Sequence, residues 1–290
     1  MKIGIENIRK ACIIIFIMLM LLFAFWKVHL GVHSDEAYLI AIGDMIAGGN
    51  SFFKECWSSL QMSAVFTAPF IFIYGKITGG REGILLFFRI LSVCIQSGIC
   101  IYFYNVFRQR YQKKYVLIAS ILLFTFIPDF QSFTYKQELI WFVTLEIIYS
   151  YQYSLTCKRR YLVLLGIMIA CSVLAYPTAI LQFPLYLCLI YLMNKKKHRS
   201  KQGLRDCVVI AATCFASAVT FLMIVLGKIS VAEFIKFFPK VFSDNNLEMS
   251  FLSKLIHPFV KFGAMGFVTV FLILLCEKIS KIRIPIMTCL

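Results

Sequence analysis

The sequence predicts an all-α polytopic membrane protein, a bundle of about eight transmembrane helices with juxtamembrane helices in two outer loops. Apolar residues fill 60% of the 290 positions and charged residues only 15%, whereas globular chains are about 50% apolar and about 25% charged. The apolar residues are gathered into runs long enough to cross a bilayer. The net charge of +16 comes from short basic clusters between these runs. That pattern is typical of cytoplasmic membrane loops and unlike a nucleic-acid-binding surface.

Eight apolar runs are the predicted spans, because about 20 residues cover the hydrocarbon core of a bilayer. They are residues 11–32, 84–107, 116–133, 137–155, 161–177, 178–193, 207–226 and 258–276. Pro177 separates the fifth run from the sixth, since proline breaks a helix. The first run would alternatively be a signal peptide, but it exceeds the usual apolar core of ~7–15 residues and further spans follow it. We therefore expect one membrane domain over residues 1–290.

The orientation depends on residues 63–78, a short apolar segment that contains Pro69. If this segment crossed the membrane, the later basic clusters would face away from the basic N-terminus. As a re-entrant or interfacial helix it leaves most of the 30 basic residues on one side, in residues 2–10, 108–114, 158–160, 195–205 and 278–283. Cytoplasmic loops are enriched in Lys and Arg. We therefore expect both termini in the cytoplasm. The Lys-rich loops and the composition rich in Ile, Phe and Lys suit a bacterium, so we expect a bacterial plasma membrane.

Two loops then lie outside, over residues 33–83 and 227–257. In the first, Leu39, Ile42 and Ile46 share one face of a short helix. In the second, an apolar stripe at helical spacing starts at Val231. Both patterns predict helices that lie on the outer membrane surface.

Asp35 and Glu36 follow directly after the first span and are the strongest candidates for chemistry. A carboxylate at this boundary is hydrated and close to lipid, so it suits a general base that acts on a lipid-carried substrate. Tyr38 lies nearby. The simpler alternative is that Asp35 caps a helix that begins near Glu36.

The candidate anion-binding residue is Arg89, which lies inside the second span, one to two turns from its outer end. An ionisable group inside a membrane segment is costly and usually faces a cavity or a partner. A guanidinium suits phosphate oxygens, and Arg81 lies on the same side. The alternative is that Arg89 snorkels to the interface.

Three more polar residues are expected on the outer side. Lys136 and Glu138 fall in the turn between the third and fourth spans, where Glu138 would alternatively only complement a helix dipole. His257 ends the second outer loop, a common place for an interfacial histidine. No nucleotide-binding motif or cysteine spacing for zinc is present. A sugar donor would therefore have to be carried on lipid rather than on a cytoplasmic nucleotide.

This arrangement resembles the integral-membrane glycosyltransferases of the C type, the superfamily of protein O-mannosyltransferases and of the aminoarabinose transferase of lipid A. The matching residues are Asp35–Tyr38, Ala47–Asn50, Pro69, Gly75, Gly79, Arg89, Arg160–Leu162, Gly166 and Ala175–Thr178, and the Tyr135–Glu138 turn falls where relatives place a second acidic group. Each motif is short, but together their order and spacing are moderately specific. Relatives usually have more spans. The chain is therefore expected to be a compact member, a truncated product or a fragment.

The resemblance implies that a sugar moves from a polyprenyl-phosphate donor to an acceptor hydroxyl of a glycan, lipid or protein on the outer side. Asp35 would be the general base, and Glu36 or Glu138 would orient it or bind sugar hydroxyls. Arg89, with Arg81 or Lys136, would stabilise the leaving phosphate. No cofactor is implied, and the resemblance leaves a divalent metal open because the family has metal-using and metal-free branches.

Glu138, Tyr38 and His257 complete the predicted substrate-binding residues. Two other functions stay open. In a transporter or lipid flippase, Arg89, Glu146 and Lys136 would line the path. A non-enzymatic scaffold would tolerate the loss of both Asp35 and Arg89.

Overall fold

A computed structural model describes residues 31–55, 60–125, 133–196 and 199–237, with a few isolated positions between residues 15 and 29. Every regular element within these residues is helical, and none is a strand. The predicted all-α class is therefore confirmed. The eighth predicted span, most of the first span, residues 126–132 of the third span and most of the second outer loop lie outside the described residues.

The helices follow the predicted segments closely. The order is α1 (Ser34–Ala47), a 310 turn (Gln61–Ser63), α2 (Ala64–Thr78), α3 (Ile84–Phe107), α4 (Lys113–Thr125), α5 (Tyr135–Thr156), α6 (Arg160–Ala175), a second 310 turn (Pro177–Leu181), α7 (Gln182–Lys196), α8 (Ser200–Leu226) and α9 (Val231–Phe237). Tyr176 is extended and Pro177 opens the second 310 turn, so the predicted break at this proline is confirmed.

Three of these stretches are long and apolar enough to cross a membrane. They are α3, the second 310 turn together with α7, and α8, while α6 is apolar but shorter. Much of the surface of α8 is apolar and uncovered by the described helices, for example Phe215 and Met223, which are about 70% exposed. Exposed apolar surface of this extent is typical of a helix that faces lipid.

Residues 63–78 form a helix that is shorter than a membrane span. α2 has 15 residues, so it is about 22 Å long against a hydrocarbon core of about 30 Å. It packs closely on α1, where a Cβ atom added at Gly43 would lie 2.6 Å from the Thr67 hydroxyl. This close packing on α1 favours an interfacial helical hairpin over a membrane crossing.

The remaining helices pack side by side and define two ends of a bundle. α3 and α5 run parallel, because Gln137 near the start of α5 bonds Gln96 in the middle of α3, and Tyr151 near the end of α5 stacks on Phe107 at the end of α3. α5 and α6 are antiparallel neighbours. Basic residues within 108–114, 158–160 and 199–205 therefore gather at one end, which we call the basic end. α1 and α2 lie at the opposite end, which we call the Asp35 end.

Candidate functional site

Asp35 lies in the first turn of α1, and it is not the cap of that helix. His33 is the N-cap, and its Nδ1 atom accepts a hydrogen bond of 3.2 Å from the Asp35 N–H. The alternative that Asp35 caps the helix was therefore wrong. Its side chain is left to face outward, at a helix N-terminus that favours a negative charge.

The Asp35 carboxylate makes an ion pair with Lys136, the second residue of α5. The Oδ2 to Nζ distance is 3.0 Å, and both side chains are partly exposed. The predicted base and one predicted phosphate-binding cation are thus in direct contact, although they are about 100 residues apart in the chain. This contact is the core of the candidate site.

Tyr135 lies against this ion pair, with the Lys136 Nζ atom 5.6 Å from the centre of its ring. The rings of Tyr135 and Tyr176 stack with centroids 5.8 Å apart, and Tyr38 lies exposed one turn after Asp35 on α1. Burial and the negative charge of Asp35 raise the pKa of the Tyr135 hydroxyl, so this hydroxyl stays protonated and can donate a hydrogen bond. Aromatic faces with hydroxyl tips suit a ligand that presents both C–H and O–H groups.

Beneath this surface Glu36 and Arg89 form a buried, bidentate ion pair. Arg89 Nε lies 2.9 Å from Glu36 Oε1 and Nη2 lies 2.8 Å from Oε2. Glu36 is fully buried, and only 6% of Arg89 is exposed. Because Arg89 points inward, the alternative that it snorkels to the interface was wrong.

Arg89 also holds the chain that enters α1. Its Nη1 donates to the Val28 carbonyl at 2.7 Å, and its Nη2 donates to the Gly31 carbonyl at 2.8 Å. The guanidinium thus joins the end of the first apolar run, the start of α1 and α3. Direct contact of Arg89 with a lipid phosphate would require these bonds to break, so the geometry gives Arg89 and Glu36 a positioning role.

The structure does not bring Arg81 to this site. Its Nε lies 2.6 Å from Asp44 Oδ1, and Asp44 is nine residues after Asp35, about 13 Å along α1. The guanidinium lies across Gly75, where an added Cβ would overlap it. Arg81 therefore fastens α1 to α2, and its predicted role as a second phosphate ligand is not supported by this geometry.

Glu138 lies within α5 rather than in a turn, on the side away from Lys136. It is fully buried, and among the described residues neither carboxyl oxygen has a hydrogen-bond partner. Two turns further on, buried Glu146 accepts a hydrogen bond from the Ser172 hydroxyl. Buried carboxyl groups are costly and usually paired. Predicted contact of Glu138 with a surface-bound sugar has no support from this position.

His257, the last predicted binding residue, lies outside the described residues. Sequence reasoning gave no role in the site to His33, Tyr135 or Tyr176, although Tyr135 and Tyr176 lie in two of the segments that carry the family resemblance. Within the described part of the chain, no group of three or more His, Cys, Asp or Glu side chains is placed to hold a metal ion.

Comparison with protein-family models, with curated proteins and with solved structures found no match to this chain.

Proposed function

We propose that this protein is a membrane glycosyltransferase that moves a sugar from a polyprenyl-phosphate donor to an acceptor hydroxyl. One observation carries the proposal, namely that Asp35 is a partly exposed carboxylate held 3.0 Å from Lys136 at one end of a membrane-type bundle. A carboxylate beside a fixed cation provides a base and a counter-charge in one place.

The proposal includes a topology with eight spans, both termini in the cytoplasm and the Asp35 end facing outward. Two features support it. The described basic clusters gather at the opposite end of the bundle, which the excess of Lys and Arg in cytoplasmic loops makes the inner end. α2 also packs closely on α1 in a helical hairpin, and such a hairpin at the interface would leave the orientation of the later helices unchanged.

The reaction would proceed as a displacement at the anomeric carbon of the lipid-linked sugar. Asp35 takes the proton of the acceptor hydroxyl, and the hydroxyl oxygen forms the new bond to the anomeric carbon. The bond from this carbon to the phosphate oxygen breaks, and the polyprenyl phosphate leaves with the electron pair. Lys136 neutralises part of the charge that develops on the phosphate, and the proton passes from Asp35 to water.

Glu36 and Arg89 would act through Asp35 rather than on the substrate. Glu36 follows Asp35 in α1, and Arg89 lies in α3. Together they hold the backbone on both sides of the N-cap residue His33. A displacement of about 1 Å at a catalytic group can lower a rate by about 100-fold. The buried pair therefore supports activity by holding Asp35 in register with Lys136.

The test is transfer of radiolabelled sugar from polyprenyl-phosphate donors in proteoliposomes, with wild type compared with Asp35→Asn. The matched control is Asp44→Asn, because Asp44 is an ion-paired aspartate on the same helix that faces Arg81. We expect Asp35→Asn to lower the rate about 100-fold or more, as loss of a general base does. Asp44→Asn should retain the rate of wild type.

Equal activity in wild type and Asp35→Asn would remove Asp35 from the mechanism. No transfer by wild type from any polyprenyl-phosphate sugar would overturn the glycosyltransferase proposal and favour a scaffold. Lys136→Gln separates the two roles of the ion pair. A loss mainly in kcat fits stabilisation of the leaving phosphate, whereas a loss mainly in KM fits donor binding.

One observation favours a transporter as the second candidate. Glu138 and Glu146 are both fully buried in α5, and ionisable residues inside membrane segments often mark the path of an ion or a substrate. Arg89 and Lys136, the other predicted path residues, are instead ion-paired at the Asp35 end. The same proteoliposomes distinguish the candidates, since a transporter predicts lipid or solute movement that Glu146→Gln abolishes and Asp35→Asn leaves intact.

A further inference from the structure

A second polar site lies at the basic end, far from Asp35. A cleft of about 750 Å³ opens there between the ends of α5 and α7 and the start of α8. Eight residues line it, of which three are basic, namely Tyr153, Cys157, Asn194, Arg199, Ser200, Lys201, Gln202 and Arg205. None of these residues belongs to the candidate glycosyltransferase site.

The floor of this cleft is a buried hydrogen-bond network. The Tyr153 hydroxyl donates to Asp206, and Asn194 donates to the Tyr153 oxygen at 3.0 Å. Gln202 donates to the other Asp206 oxygen at 2.8 Å. Arg159 lies 3.9 Å from the same carboxylate. Because these groups satisfy one another's hydrogen bonds, they form a fixed wall of the cleft. The Asp206 carboxylate already has partners for both of its oxygens.

The rim carries three cations that this network does not use. Arg199, Lys201 and Arg205 are exposed, and among the described residues none of them forms an ion pair with a carboxylate. With Arg159 they give the cleft four positive charges against the single negative charge of Asp206. An uncompensated positive cleft with fixed walls attracts and retains anions.

Two features make phosphate the fitting anion. Arginine presents a planar fork of N–H donors that matches phosphate oxygens, and two of the three rim cations are arginines. The cleft also lies at the N-terminus of the 27-residue helix α8, whose first N–H groups lack intrahelical acceptors and carry partial positive charge. Basic pockets between membrane helices on the inner side are a known form of lipid headgroup site.

We propose that this cleft binds a phosphate-bearing anion through Arg199, Lys201 and Arg205. The ligand is either the phosphate of an anionic lipid headgroup or a soluble phosphate compound. The site is independent of the proposed transferase reaction, because it lies at the other end of the bundle.

Cys157 offers a built-in reporter of occupancy. Its thiol lines the cleft and is exposed, so a bound ligand slows its alkylation by N-ethylmaleimide. The extent of reaction at this cysteine is read by mass spectrometry of its peptide, from the full-length protein in nanodiscs. We expect phosphatidylglycerol in an otherwise zwitterionic bilayer, or inorganic phosphate added to a purely zwitterionic one, to slow the reaction.

The two arms distinguish the sources of the phosphate. Protection by phosphatidylglycerol but not by inorganic phosphate identifies a lipid headgroup, and protection by both identifies a site that accepts free phosphate. Oleate and chloride are the matched anions that lack phosphate. Equal protection by oleate, or no protection by either phosphate source, would overturn the proposal.

The variants separate a site from general attraction to an anionic surface. In Arg199→Gln/Lys201→Gln/Arg205→Gln, the concentration of ligand for half protection should rise about fivefold for each charge removed. The control Arg110→Gln/Lys113→Gln/Lys114→Gln removes the same number of charges from the basic end but leaves the cleft lining unchanged. Equal losses in the two triple variants would show surface attraction alone and would overturn the site.

Discussion

Replacing Arg89 with glutamine should destabilise the folded protein far more than the same replacement at Arg81. Both arginines pair with an aspartate or glutamate of α1, but their surroundings differ. Arg89 and Glu36 are 7% and 0% exposed at their side chains, whereas Arg81 and Asp44 are 42% and 44% exposed. The two variants therefore compare a buried arginine–carboxylate ion pair with an exposed one.

The expected magnitudes follow from this burial. Arg89→Gln leaves the Glu36 carboxylate buried without its partner, which costs about 3–5 kcal/mol. It also removes the bonds to the Val28 and Gly31 carbonyls. Arg81→Gln breaks an exposed pair that contributes about 0–1 kcal/mol. For a chain of this size 1 kcal/mol shifts Tm by roughly 2–4 °C, so Arg89→Gln should lower Tm by roughly 6–20 °C.

The assay is the fraction of monodisperse protein that remains in detergent after heating to a series of temperatures. Arg89→Leu combined with Glu36→Leu serves as a second test, because removing both charges avoids the buried unpaired carboxylate and should recover much of the loss. Similar small shifts for Arg89→Gln and Arg81→Gln would refute the buried ion pair. A double variant that is no more stable than Arg89→Gln would refute the argument from the unpaired charge.

Two further results are expected from the helix packing and from α9. Gly166→Ala should cost about 1–3 kcal/mol, because the added Cβ would lie 2.8 Å from Thr213. Gly98→Ala, where nothing beyond the local helix lies within 4 Å, should instead raise stability by about 0.4–1 kcal/mol in the same heating assay, because alanine lowers the conformational entropy of the unfolded chain. The N–H and hydroxyl of Ser230 donate to Glu233 and lower the pKa of this carboxyl from its ordinary 4.5. A carboxyl group whose pKa is lowered in the folded state contributes stability that is present above pH 4.5 and is lost as the pH falls. The amide hydrogens of residues 231–237 should therefore exchange more slowly in wild type than in Glu233→Gln at neutral pH, and this difference should vanish in acid. Protection that stayed constant down to low pH would contradict this.

Most of the described fold was predictable because membrane helices are specified by local sequence. Apolar length fixes where a helix can lie in a bilayer, and Pro177 fixes where one ends. The face formed by Leu39, Ile42 and Ile46 was also predicted correctly, since two of these side chains are buried and the third packs on them. Three helices meet the length and hydropathy of a span, and the full count of eight stays a prediction.

Only some of the predicted site residues lie together in the structure. Asp35 and Lys136 were both singled out, but their contact could not be predicted, because it depends on how α1 packs beside α5. The same holds for Glu36 and Arg89, whose inward pairing was not foreseen. Arg81 was predicted to lie at the site because it is close to Arg89 in the sequence. In the structure it pairs with Asp44 instead.

By itself, the sequence determined what depends on neighbouring residues, namely the helical class, the breaks and the gathering of positive charge in particular loops. Tertiary structure alone decided which charges meet. It buried Glu36 against Arg89, left Asp35 beside Lys136 at the surface, and brought Tyr153, Asn194 and Asp206 together beneath a basic cleft. The physical reason is that a charge in a low-dielectric interior must find a partner wherever the packing provides one. Helix periodicity fixes the direction of each side chain but not what stands opposite to it.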